Sequence, residues 1–358
     1  MRVSRFARDA ARCSIGLGSN ARSRAGVDFT TAFLKIVDER GTRSDDYPSH
    51  DAALRAYHDE VGRRLADGWR LTIDDVPIEP VRDQPDYATL PELEAAVLAE
   101  PDNETAWSVL GDAWAQAGDP RGECVLLSRG TALSDPAEFM RRKAGMLPMI
   151  RQRTSLFFGP FGDDAYRVSA KFSGGLVDAV ELADEDLAPG RPTSILLEQI
   201  LTSPFARFLS VLSFRATTVA ASLEVLATVG AEALRALVIR QLDERSPMPV
   251  RLGPASSKLG RLRKLALQLE HAPIDWADTS FPILTQLELE EPGSPTQCDE
   301  LLAWISGHPT LAKIVIGPGL SSSHSGQIMR RLDAWVANSA RWPGSLREVS
   351  WNHRITRR

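Results

Sequence analysis

Lysine is nearly missing from this chain, with six residues against thirty-six arginines, so arginine is its general-purpose cation. Cysteine is scarce too. Cys13, Cys124 and Cys298 lie far apart, with no Cys-x-x-Cys and no neighbouring histidines, which leaves no disulfide framework and no zinc site to propose. A reducing cytoplasm is the compartment this cysteine usage implies. No apolar run approaches the roughly 18 residues needed to span a bilayer, so no membrane partner is expected. The six histidines are scattered without metal-ligand spacing, and no phosphate loop, nucleophile elbow or kinase signature appears. Neither a metal nor a cofactor is called for, no small-molecule substrate is evident, and the chain reads as non-enzymatic.

What is present is ordinary globular composition over 358 residues, 43% hydrophobic and 25% charged, with a net charge of −5. That balance argues against non-specific DNA or membrane binding by the molecule as a whole. Residues 1–26 carry Arg2, Arg5, Arg8, Arg12, Arg22 and Arg24 against Asp9 alone, a composition shared by transit peptides and loose termini. We expect a disordered or loosely attached start. Gly16-Leu17-Gly18-Ser19-Asn20 opens like a dinucleotide fingerprint but lacks its third glycine, and reads as a loop.

Over residues 27–73 a short apolar run at Phe33–Val37 precedes a helical pattern of Ala53, Leu54, Tyr57, Val61 and Leu65, ended by Gly68 and Trp69. The run from Tyr47-Pro48-Ser49 through Tyr57-His58 to Asp67-Gly68-Trp69 resembles the closing helix and last strand of the WGR domain, without the tripeptide that names it. The resemblance implies a small α+β region, and in some members nucleic-acid binding. Residues 74–88, with Pro77, Pro80 and Pro85 among acids, read as a linker.

Residues 89–155 follow as helices ended by Pro101-Asp102-Asn103 and Gly118. Ala99-Glu100-Pro101-Asp102-Asn103, Leu110-Gly111-Asp112 and Gly118-Asp119-Pro120-Arg121-Gly122-Glu123 resemble the bacterial repeat-companion domain, a helical module found beside repeats. Ala113 stands where that family usually has an aromatic, and Trp114 follows. Asp112, Asp119, Arg121 and Glu123 have two readings. Paired carboxylates beside an arginine suit acid–base chemistry; equally, Asp119 caps a helix and Arg121 pairs with a carboxylate to lock a helical hairpin. The second is favoured, because no nucleophile or further acid converges on them. A basic amphipathic helix is expected over 137–153.

From residue 156 to 358 one spacing recurs. Val177, Val180, Leu182; Leu209, Leu212, Phe214; Leu234, Leu237, Ile239; Leu262, Leu265, Leu267; Leu284, Leu287, Leu289; Leu311, Ile314, Ile316; and Leu346, Val349, Trp351 each fill Leu-x-x-Leu-x-Leu. Alternation in the last four positions makes a short strand with its apolar residues inward, and the earlier leucine closes the turn before it. Residues 194–201, 220–229, 298–305 and 327–336 show helical spacing between strands. Pro247-Met248-Pro249 and Ala272-Pro273 exclude regular helix in the two intervening connections.

The fold class expected is therefore α/β: an irregular solenoid that resembles leucine-rich repeats, with parallel strands and with helices or loops on the convex side, preceded by the helical module and the α+β region. The family's turn asparagine is replaced here by Thr217, Leu242, Glu270, Pro292, Gly319 and Arg354, so the turns must be held another way. Outward strand residues form the concave strip on which such arrays bind partners: Arg215, Arg240, Gln268, Glu288 and Glu290 are its candidates. The function expected is a protein–protein interaction scaffold, with another protein as partner. The alternative is a nucleic-acid-associated module using the WGR-like region and the arginine-rich helix.

Overall fold

The computed structural model describes residues 2–8, 11–24, 27–38, 40–47, 50–73, 76–77, 85–129, 147–182, 191–216, 219–241, 249–269, 272–290, 292–317, 325–338, 342–351 and 354–357. The fold is mixed α/β. It divides into two compact units: Met1–Val168 with Ser173–Leu176 and Glu185–Arg191, and Ser169–Phe172 with Val177–Asp184 and Pro192–Arg358.

The first unit opens with β1 (Arg2–Arg8), β2 (Ala11–Arg24), β3 (Val27–Asp38) and β4 (Gly41–Tyr47), then α1 (His50–Ala66), β5 (Arg70–Ile73) and β6 (Val76–Pro77). These strands form a six-stranded antiparallel sheet in the order β4-β3-β2-β1-β5-β6. Two expectations are corrected here. Residues 2–8 and 11–24, expected to be loosely attached, are sheet strands, and Gly16–Asn20, expected as a loop, lies inside β2 opposite Thr31–Lys35. Their clustered arginines obscure a period-two pattern, Ser4/Phe6 against Cys13/Ile15/Leu17, which is that of a strand. Helix α1 buries Ala53, Tyr57 and Val61, and Ile36 of β3 is buried as well. Arg64 bridges α1 to Asp38 at 3.0 Å and to Glu60 at 3.0 Å. Gly68 takes the left-handed conformation (φ 79°) that turns the chain into β5.

The expected linker is also in part structured. Val76–Pro77 pairs with β5, residues 78–84 lie outside the described residues, and residues 85–90 lead into α2 (Pro91–Ala99). Helices α3 (Glu104–Gln116) and α4 (Pro120–Arg129) complete the expected hairpin. Of the expected basic helix, residues 137–146 lie outside the described residues; α5 (Leu147–Phe158) runs on past residue 153 into a 3₁₀ helix, Gly159–Arg167. Phe157, Phe158 and Phe161 pack edge to face at 4.8–6.3 Å between ring centroids. The first unit therefore extends past the expected boundary at residue 155, because these three rings are buried there.

The second unit contains β9 (Val211–Ala216), β10 (Ala236–Gln241), β12 (Lys264–Gln268), β14 (Gln286–Glu290), β15 (Lys313–Gly317) and β16 (Glu348–Trp351), which follow one another in a nine-stranded mixed sheet. On one side the order continues through β8 (Leu176–Leu182) to β7 (Val168–Ser173). On the other it ends at β17 (Arg354–Arg357), antiparallel to β16. From β8 to β16 every pair is parallel. The recurring spacing is the register: Val180, Leu212, Leu237, Leu265, Leu287, Ile314 and Val349 stand side by side, and so do Leu182, Phe214, Ile239, Leu267, Leu289, Ile316 and Trp351. None of the residues filling the spacing is more than 6% exposed. One strand cannot bury such a row; seven in register make a continuous apolar layer.

Between strands run α6 (Thr193–Thr202), α7 (Val219–Val229), α9 (Pro295–Gly307) and α10 (Ser325–Ala337), at the places where helical spacing occurs in the sequence. The two proline-containing connections carry β11 (Val250–Arg251), the one-turn α8 (Gly253–Ser256) and β13 (Ile274–Asp275), and β11 pairs with β13 in a small parallel sheet.

Backbone hydrogen bonds join the turns that lead into the strands. In five copies the first leucine donates its N–H to the carbonyl three residues back, as in Leu262 to Leu259 and Leu284 to Phe281. The residue after it passes the stack along: the carbonyl of Ser210 accepts from the N–H groups of Arg235 and Ala236, that of Arg235 from Arg263 and Lys264, that of Arg263 from Thr285 and Gln286, that of Thr285 from Ala312 and Lys313, and that of Ala312 from Arg347 and Glu348. Hydroxyls reinforce the ladder, Thr285 Oγ1 donating to Arg263 O at 3.1 Å and Ser345 Oγ to Leu311 O at 2.9 Å. Of the substituted positions, residues 217, 242, 270 and 319 lie outside the described residues.

Candidate functional site

Two places carry the polar residues singled out by the sequence. The first is the turn between α3 and α4. Gly118 (φ 76°) ends α3, and Asp119 begins α4 by accepting from the backbone N–H of Arg121 at 2.9 Å. The Arg121 guanidinium returns to the same carboxylate at 2.7 Å, with both side chains buried. The pair then grips both backbone polar groups of one residue outside the hairpin: Asp119 Oδ2 accepts from Ala88 N at 2.8 Å and Arg121 donates to Ala88 O at 2.6 Å. The guanidinium lies 4.1 Å over the Trp114 ring and 5.5 Å from that of Tyr87. Burial first, and the neighbouring Asp119 charge second, push the Tyr87 phenol up to about 12.

Asp119 and Arg121 thus come together as cap and ion pair, while Asp112 and Glu123, read with them, are exposed and take no part in the cluster. The period of α3 explains this, since Asp112 falls on the solvent side of a helix whose buried face is Trp107, Leu110, Gly111 and Trp114. Trp114, Tyr87 and the peptide at Ala88 are partners the sequence reading missed. An arginine two residues after a buried aspartate, with a tryptophan in the preceding turn, was the available signal. The Asp119 carboxylate and the Arg121 guanidinium are engaged with each other and with backbone groups, so the arrangement clamps a strap.

The second place is the face of the nine-stranded sheet opposite its apolar layer. The register lines up Glu181, Ser213, Val238, Ala266, Glu288, Val315 and Ser350 in one row, and Arg215, Arg240 and Gln268 in another beside them. Glu290 stands at the same end of β14, in register with Gly317. Arg215, Arg240 and Gln268 are thus neighbours on three adjacent strands, and Glu288 and Glu290 share β14. Arg240 is the most connected of these residues, donating from Nε to Gln268 at 2.9 Å and from Nη1 to Ser213 Oγ at 3.4 Å, and pairing with Glu181 at 3.5 Å. Lys264 pairs with Glu288 at 2.8 Å, and Glu288 also accepts from Gln286 at 2.6 Å. Further along, Glu348 sits between Lys313 and Arg357, each at 2.9 Å, and these two bases hold its carboxyl below the usual range. These pairs are partly open to solvent, so each contributes little to stability; what they fix is the placement of charge across the strands.

Beside the strip, a cavity of about 30 Å³ is lined by residues including Leu267, Trp276, Leu289, Glu290 and Gln297. That is far below the roughly 300–1,000 Å³ of small-molecule sites. Among the described residues no group of three or more His, Cys, Asp or Glu is arranged to hold a metal ion, and no helix is long and apolar enough to cross a membrane. Comparison with known proteins returns nothing: no family model, no curated protein and no solved structure matches the chain.

Proposed function

We propose that this chain is a non-catalytic, cytoplasmic interaction scaffold, in which a leucine-rich-repeat-like solenoid over 156–358 binds another protein on its polar strand face. In this reading the module around Asp119 and Arg121 is a repeat-companion domain and residues 27–73 are a WGR-like region, both acting without cofactor. The observation that carries the proposal is the contrast between the two faces of one sheet. One face is a fully buried apolar layer; the other holds Arg215, Arg240 and Gln268 in register on adjacent strands, with Glu288 and Glu290 on the next strand. Surface of that kind is available for recognition.

Charge reversal tests it. Arg240→Glu and Glu290→Lys, each introduced into the tagged full chain and used for affinity purification from the native cell, should lose at least one partner that the parent protein retains, with thermal melting unchanged. If every partner survives both substitutions, the binding face is elsewhere.

A further inference from the structure

We infer that the partner is held through an acidic, amphipathic segment whose carboxylate is taken by Arg215 and Arg240 and whose apolar side chain lies on the adjoining strands; this rests on the interaction reading above. Arg215 and Arg240 are in-register neighbours on adjacent parallel strands. Like charges placed directly side by side on a sheet oppose each other. Arg240 is satisfied by Glu181, Ser213 and Gln268. Arg215 is half-buried, and among the described residues its guanidinium meets no carboxylate. An anion bridging the two guanidiniums would turn repulsion into two charge-assisted hydrogen bonds.

The neighbouring positions say what that anion is attached to. Val211 and Ala236 are register partners, as are Val238 and Ala266, and they lie on the same face, two and four residues before the arginine row. Ala266 is 4% exposed and the other three are half-buried. They make a low apolar floor beside the paired bases, shaped for a bulky side chain adjacent to a carboxylate. A run of phosphates fits poorly, because Glu181, Glu288, Glu290 and Glu348 occupy the same face and would repel it. The geometry therefore favours an acidic peptide over nucleic acid.

The test is selection of random dodecapeptides displayed on phage against the immobilised full chain, followed by binding of the selected peptides in solution. Enriched peptides should carry Asp or Glu within a turn of Leu, Phe or Trp. Their affinity should fall about tenfold or more in Arg215→Glu and Arg240→Glu, less in the milder Arg215→Gln, and hardly at all in Lys313→Glu, as expected when a buried charge contact loses its partner. Melting curves establish that each variant is folded. Enrichment without acidic bias, no enrichment, or binding indifferent to both arginines overturns the inference. Peptides that depend on Glu290 instead would sink it while leaving the strand face as the interface; peptides that ignore the whole face would sink both. An oligo-dT strand that binds the parent chain and is lost in the same arginine variants would reassign the bases to phosphate, which also overturns it.

Discussion

Asp119 and Arg121 show how much one buried pair can organise. The carboxylate caps α4, the guanidinium stacks on Trp114, and together they hold the backbone N–H and carbonyl of Ala88. Removing one partner of a buried pair leaves an uncompensated charge, which costs about 3–5 kcal/mol. Asp119→Ala should therefore lower stability by about that amount in urea denaturation followed by tryptophan fluorescence. The double replacement Asp119→Leu with Arg121→Met should recover part of the loss, short of the whole because Ala88 loses its bonds. His308 supplies a pH dependence. It is 6% exposed, its ring 4.8 Å from that of Trp304, and burial lowers its pKa below the ordinary 6.5, partly offset by a backbone bond with Phe281. The unfolded chain then binds the proton first, so stability is full above 6.5 and falls as pH drops toward the folded pKa. Melting temperature should decline as pH falls below the ordinary 6.5, and His308→Phe should flatten that decline.

At the level of elements, close approach decides the helical module. A Cβ on Gly122 would lie 2.3 Å from Ala115 N and 2.6 Å from Gly111 O, both backbone atoms that cannot swing aside. Gly122→Ala should force α3 and α4 apart and cost about 3 kcal/mol, at the upper end for overpacking, read as a lowered urea midpoint. The Gly-Asp-Pro-Arg-Gly string was visible in the sequence, and the physical roles now attach to single letters: a left-handed turn, a cap, a first-turn proline, a clamp and a contact. The strands were legible in another way. Leu-x-x-Leu-x-Leu specifies which residues go inward whatever surrounds them, because strand period and apolar burial are local demands. Residues 11–24 were not legible, since six arginines within the first 24 residues hid an alternation that becomes a strand only when β1 and β3 pair with it.

At the largest scale, charge is unevenly shared among the described residues. In residues 85–128 the exposed charges are Asp86, Glu92, Glu100, Asp102, Glu104, Asp112 and Glu123, all acidic, while Arg121 is buried. Together with the four glutamates of the strand face, this disfavours a polyanion. A gel-shift series with a 30-mer duplex should show no retarded band even at about 50 mM salt, where phosphate contacts are strongest; a salt-sensitive complex would revive the nucleic-acid alternative. The sequence by itself determined the apolar rows, the helices between them and the cap at Asp119, because periodicity and turn chemistry act over a few residues. Tertiary structure alone decided that the carbonyls of Ser210, Arg235, Arg263, Thr285 and Ala312 carry the stack, that Ala88 is the strap held by the clamp, and that Arg215 stands beside Arg240. Those relations join residues 22 to 36 positions apart, and only register between strands and packing between helices can set them.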